Sequence, residues 1–320
     1  MKRPKYFIPI IMLLITVVGF TSFTGCKEEE PEIISETTYP LTVTDQLGRT
    51  VTINAEPQKI ISLAPSNTEI IYSLGLQDRL VGVTTYCNYP EAANDKPKVG
   101  GFSTVDVELI TAIQPDIILA ANIHAGKTIP QLEELGKRIG FVVIALSPEN
   151  LDGVLQAIEL VGKASNVNET TETMVNGLRN RIDAVKNITT TLSQSQLTKV
   201  FYIVWHDPLQ TIGSTSFIHS LLGAAGGLNI AGDIEEKYPK ISLETVIGQN
   251  PQTIIAQIGM GSGEDGPLIY AQTEPLLASV SVRSTGQIYG VISDVVGRPG
   301  PRVFDALEQL AKMLHPELFS

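Results

Sequence analysis

The chain has 320 residues, a formal net charge of −11, 43% apolar residues, 27 glycines and 19 prolines. That length exceeds what one hydrophobic core ordinarily fills, so two domains or lobes are expected. The composition excludes a fibrous or wholly disordered chain, and the acidic balance argues against a nucleic-acid partner, which would call for a basic face.

In chain order, Lys2, Arg3 and Lys5 precede an apolar run from Phe7 to Phe20. A charged start, a short apolar stretch and small residues before Cys26 make residues 1–25 an export signal, not a spanning helix. Thr24-Gly25-Cys26 resembles a bacterial lipoprotein signal, which implies that Cys26 is lipidated and becomes the first residue of the mature chain. Removing residues 1–25 takes away three positive charges and leaves −14. Residues 26–38, CKEEEPEIISETT, read as an acidic tether that buries nothing. With Cys26 lipidated only Cys87 remains, so no internal disulfide is expected.

The folded part begins at Tyr39. LTVTDQLGRTVTI alternates around a glycine turn and reads as an antiparallel hairpin. IISLAP gives a short buried strand, after which Ser66 is expected to cap a helix that Gly75 ends. Strand and helix then alternate through LVGVTTY, VELITAIQ, DIILAA, IPQLEELGKRIG and FVVIALS, the pattern of a parallel sheet covered on both faces. Met174, Leu178, Ile182 and Val185 share one helical face, and a helix over about Glu169 to Lys186 would span about 27 Å. The plan then repeats: the VFYIVW strand, the STSFIHSLLG and SLETVIGQN helices, the TIIAQI strand, a helix near PLLASV, the QIYGVI strand and a last helix from Pro301 to Leu314. The expected architecture is α/β: two similar parallel-sheet lobes bridged by one long helix, with a ligand cleft between them. Residues 39–165 would form the first lobe, 166–192 the connecting helix and 193–320 the second lobe.

One segment is written twice. DVELITAIQPDIILA and SLETVIGQNPQTIIA align at an offset of 136 and pair Glu108 with Glu244, Pro115 with Pro251 and Ile118 with Ile254. Each glutamate follows a capping residue, Asp106 or Ser242, by two. An acid in the first helical turn stabilises the helix dipole by about 0.3–1 kcal/mol, which accounts for either glutamate alone. Their equivalent placement in two lobes suits instead the grip of a two-fold partner bearing basic residues.

SLAPSNTEIIYSLG, VGVTTYCNYP, VGGFSTVDVELITAIQPDII, SDVVGRPGPR and the terminal HPELF resemble, in this order, bacterial ABC-transporter substrate-binding proteins for cobalamin, haem and ferric siderophores. The likeness runs from about Tyr39 to the C-terminus and is strongest to the cobalamin binders. It implies a two-lobed fold with a rigid connecting helix, a ligand in the cleft and an ABC permease dimer with its ATPase subunits as partner. It implies a monomer held to the extracytoplasmic face of the membrane by its lipid. Glu108 and Glu244 would then meet arginines of the permease.

Loops after the strands of open α/β sheets bind ligands. Tyr86 and Tyr89 lie in TTYCNYP, Phe102 follows two glycines, Trp205 stands in WHDP and Tyr238 precedes Pro239. Aromatics there suit a large flat ring, although core packing would explain each of them as well. By resemblance, Tyr86, Phe102 and Tyr238 fall where the cobalamin binders have ring-facing aromatics, Phe102 and Tyr238 replacing tryptophans, and Ala121 replaces another. Asp294 and Arg298 match positions near the corrin amides; a local pair that only holds its loop is the alternative. The transported ligand is expected to be a corrinoid, with haem or a ferric siderophore as the alternative.

No resident cofactor or metal site is expected, because His124, His206, His219 and His315 lack metal-ligand spacing. His124 and His206 follow strands and are the two placed to reach a ring-borne metal. GSGEDG, 261–266, fits G-x-G-x-x-G, but its two acids would repel a pyrophosphate and a surface loop is expected. No nucleophile, acid and base set marks an enzyme.

Overall fold

A computed structural model describes residue 1, residues 36–259 and residues 265–319 of the chain. The export signal, Cys26 and most of the acidic tether lie outside the described residues, as do residues 260–264 of the glycine-rich loop. The described residues from Glu36 onward belong to one compact unit.

The first sheet is introduced by an antiparallel hairpin, β1 (Leu41–Thr44) and β2 (Thr50–Ile53), turning at Gly48 with a φ of 76°. There follow β3 (Ile60–Ser62), α1 (Pro65–Ser73), β4 (Leu80–Val83), α2 (Val107–Ile113), β5 (Ile117–Ala121), α3 (Thr128–Ile139) and β6 (Val142–Leu146). These strands are all parallel, in the order β4-β3-β5-β6. Two helices, α4 (Leu151–Ala164) and α5 (Asn168–Thr189), lead to the second sheet.

That second part contains β7 (Thr198–Ile203), a small hairpin of β8 (Trp205–His206) and β9 (Leu209–Gln210), α6 (Phe217–Ala224), β10 (Gly227–Asn229), α7 (Leu243–Gln249) and β11 (Thr253–Ile258). It closes with α8 (Gly266–Thr273), α9 (Ser281–Thr285), β12 (Ile288–Ile292), α10 (Ser293–Val296) and α11 (Val303–Leu314). The sheet is parallel, in the order β10-β7-β11-β12.

Apolar runs build these sheets because both faces are covered, so neighbouring residues feed different cores. Ile60 and Ile117 enter a core shared by the two sheets, while Ile61 and Ile118 pack on the outer face with Ile110 and Leu132. Val200 joins the shared core, and Phe201 packs outward with Val246 and Leu277. The shared core continues through α4, α5 and α11, with Val175, Leu178, Ile182 and Val185 of α5 buried in it and Met174 partly so. At 22 residues α5 is longer than expected, about 33 Å at 1.5 Å per residue. Arg181 of α5 binds Asp305 and Glu308 of α11 at 2.6 and 2.7 Å, which ties the long helix to the second sheet.

Three local expectations need correction. Ser66 is not the cap of α1: Ala64 holds that place, and Pro65 starts the helix where its missing N–H costs nothing. PLLASV forms a short 3-10 turn, Pro275–Ser279, because Pro275 follows directly on the end of α8. WHDP is half strand, since Trp205 and His206 pair with Gln210 and Leu209.

Candidate functional site

The two copies of the repeated segment fold alike. Asp106 caps α2 by accepting from the backbone N–H groups of Glu108 and Leu109, both at 3.0 Å. Ser242 caps α7 by accepting from the N–H of Thr245 at 3.2 Å. Each helix lies on the outer face of its sheet and leads into an equivalent central strand, β5 or β11. Glu108 and Glu244 are both exposed in the first turn. The Glu244 carboxyl is held below the ordinary glutamate range by its own backbone N–H and by the Ser242 hydroxyl.

At the carboxyl ends of the strands the aromatics gather in two groups. Tyr86, after β4, meets Phe102 edge-on with ring centroids 6.4 Å apart, and Phe102 meets His124 at 5.9 Å. Trp205, after β7, tilts against His206 at 5.0 Å, and His206 lies 6.1 Å from Tyr270 of α8. Tyr86 is 59% exposed, so it is no core residue; Phe102 and Trp205 are half-buried. Tyr238 is 41% exposed and joins neither group; the Lys237 ammonium stands 5.7 Å from its ring. Ala121 ends β5 and is partly buried beside them.

The two candidate histidines differ. His124 is fully buried; its Nδ1 accepts from the Ala121 N–H at 2.9 Å and its Nε2 donates to the Phe102 carbonyl at 2.7 Å. Burial lowers its pKa and keeps it neutral. With both nitrogens occupied it holds the Phe102 loop to β5 and offers nothing to a metal. His206 is half-buried, and its Nδ1 has no hydrogen-bond partner among the described residues. Gly266 packs so closely on its ring that a Cβ there would stand 2.5 Å from Cε1.

The charged part of the site spans the two sheets. Arg298 binds Asp294 at 2.6 Å, the local pair the sequence allowed, but its Nη1 also donates to Asn88 Oδ1 at 2.6 Å. The Asn88 amide in turn donates to Asp294 Oδ2 at 3.4 Å. Beside it, Arg302 grips the buried Glu69 of α1 with two bonds of 2.6 and 3.0 Å, and its guanidinium lies 4.0 Å from the Tyr89 ring. Glu69 is 2% exposed, and burial pushes its carboxyl above the ordinary range even against that guanidinium. Burial lowers Arg298, against the pull of Asp294. Sequence reasoning misses Glu69, Asn88 and Tyr270. A glutamate set directly before Ile70 and Ile71 in a helix buried all along its first two turns is the available signal for Glu69.

Comparison with known proteins places the chain in a family. A family model described as periplasmic binding protein matches residues 60–291. An uncharacterized ABC transporter substrate-binding lipoprotein of Bacillus subtilis is 27% identical over 320 residues, 99% of either chain. A vitamin B12-binding protein of Vibrio cholerae is 30% identical over 258 residues, 80% of this chain and 89% of that one. The crystal structure of a periplasmic vitamin B12 binding protein of Vibrio cholerae superimposes with a TM-score of 0.68 at 28% identity, over 81% of this chain and 97% of that one. The chain belongs to the periplasmic binding protein family.

Proposed function

We propose that the chain is the lipid-anchored substrate-binding component of an ABC importer, which captures a corrinoid outside the cytoplasm and delivers it to the permease. It binds and carries; it does not catalyse. The observation that carries the ligand class is the set formed by Asn88, Asp294 and Arg298, which holds donors and acceptors in balance on the loop that also carries Tyr86. Primary amides around a flat macrocycle both donate and accept, so a corrinoid matches this set. Haem presents carboxylates that only accept, so Arg298 would have to leave Asp294 to bind them, and Asp294 would then face them with like charge. Tyr86, Phe102, Trp205 and Tyr238 supply the apolar walls, and the relatives named as vitamin B12-binding proteins support the reading.

Glu108 and Glu244 serve as the two docking points for the permease dimer, each presented by a capped outer helix. An open hollow of about 570 Å³, lined by Gly100, Gly101, Thr104 and Val105 to Glu108, adjoins the first of them and leaves room for a long basic side chain. Cys26 carries the anchor, and one copy of the chain meets one permease dimer with its ATPase subunits. The absorption spectrum of the protein purified from its own host tests the reading. A corrinoid spectrum is expected; a Soret band or a ferric siderophore band would overturn the ligand class.

A further inference from the structure

One loop of the first sheet and one segment after the second meet at the largely covered side chain of Arg302, as well as through Asn88. The loop after β4 carries Tyr86, Asn88 and Tyr89, while the segment after β12 carries Asp294, Arg298 and Arg302. Arg302 touches both. Its Nε and Nη2 donate to Glu69 at 3.0 and 2.6 Å, Nη2 reaches the Asp294 carbonyl at 3.4 Å, and the Tyr89 ring lies over its face at 4.0 Å. The fork is well hidden, with Arg302 17% and Glu69 2% exposed at the side chain. Gly300 makes the approach possible: a Cβ there would stand 3.2 Å from the Ser66 carbonyl and 3.4 Å from Glu69 Oε2.

We infer that Arg302 is the positioning residue of the ligand site, a clasp that fixes the Tyr86–Tyr89 loop and the Asp294–Arg298 segment relative to each other across the two sheets. A planar guanidinium is suited to this, since it can accept a carboxylate in its plane and an aromatic ring on its face at once. A buried ion pair contributes little net stability against an apolar pair of similar volume, because desolvation cancels most of the attraction. What the pair supplies is geometry. Asn88, Asp294 and Arg298 can form one binding set only while the two segments keep their distance; the 2.6 Å Arg298–Asn88 bond also joins the segments but lies within that set, whereas the Arg302–Glu69 fork stands outside it. The inference rests on the proposed ligand site, but the clasp itself is a property of the unliganded chain.

The experiment separates geometry from stability and from ligand identity. Spin labels at Arg138→Cys on α3 and Gln249→Cys on α7, both exposed sites, report the spacing of the two sheets by pulsed dipolar spectroscopy in a Cys26→Ser background. Cys87 is buried and takes no label. The double substitution Glu69→Met with Arg302→Met removes both charges and keeps the volume, so its melting temperature should stay near the parent's. Its distance distribution should broaden, and its dissociation constant for cyanocobalamin should rise by about tenfold or more, as expected if the binding-competent arrangement falls to about a tenth of the population. A distribution as narrow as the parent's would overturn the clasp. Should the parent itself ignore cyanocobalamin, the ligand reading fails while a broadened distribution still upholds the clasp. Arg302→Lys covers the case in which the double variant does not fold. It keeps the charge opposite Glu69 but loses the fork and the stacked face, so broadening is again expected, and an unchanged distribution would again overturn the inference.

Discussion

Gln114 and Asn250 adopt the same left-handed backbone, with φ values of 51° and 46°, at the ends of α2 and α7. Each is followed by a proline, so each repeated helix stops at the same point and turns into its strand the same way. Left-handed geometry is strained for glutamine and tolerated by asparagine. Gln114→Gly should therefore stabilise the fold by about 0.5–1 kcal/mol, and Asn250→Gly by less. Urea unfolding measures both; a destabilised Gln114→Gly would mean that its side chain matters more than its backbone.

The docking role predicts a separation of phenotypes. With both Glu108 and Glu244 replaced by alanine, ligand affinity and melting temperature should stay close to the parent's, because both side chains are exposed. Uptake through the cognate transporter should fall, and lysine at both positions should lower it further by setting like charges against the permease. A double-alanine protein that supports normal uptake would reduce the pair to two well-placed helix starts.

Much of this fold can be read from the chain because its signals are local. Apolar runs mark the central strands, and Asp106 and Ser242 mark helix starts, so the repeat by itself reveals two equivalent units. What stays hidden depends on distance in sequence. Glu69 and Arg302 are 233 residues apart, and no local pattern pairs them. His124 looks like a free imidazole after a strand until the carbonyl of Phe102, 22 residues earlier, is brought onto its Nε2. Ser66 misleads because a proline one residue earlier outranks a serine as a helix start.

His124 and His219 set an acid limit on stability. Burial lowers the pKa of His124 and of His219, so the folded chain keeps them neutral while the unfolded chain takes up protons near pH 6.5. The unfolded state then binds more protons, and stability is full above about pH 6.5 and declines as pH falls below it. Glu69, whose carboxyl is pushed up, works in the opposite sense. His124→Asn should lower stability outright by about 1–3 kcal/mol through the lost Phe102 bond, yet flatten the fall below about pH 6.5. Melting curves across that range check it; an unchanged slope would assign the titration elsewhere.

Anchoring should depend on one atom. None of the helices among the described residues is long and apolar enough to cross a membrane. If Cys26 carries the proposed anchor, Cys26→Ser should release the chain, once its export signal is cleaved, from the membrane fraction of cells lacking the permease, since stable attachment takes more than a single acyl chain and a lipoprotein carries several. Fractionation with immunoblotting decides this, and continued sedimentation of the variant with membranes would refute the lipid anchor.

The central claim is that the aromatic walls and the Asn88, Asp294 and Arg298 set receive a corrinoid. Calorimetric titration of the ligand-free protein with cyanocobalamin, haemin and a panel of ferric siderophores tests it most directly. Saturable binding of cyanocobalamin is expected, weakened more than about tenfold in a folded Trp205→Ala variant, which corresponds to about 1.4 kcal/mol or more. Tight binding of haemin or of a siderophore, with no heat from cyanocobalamin, would contradict it.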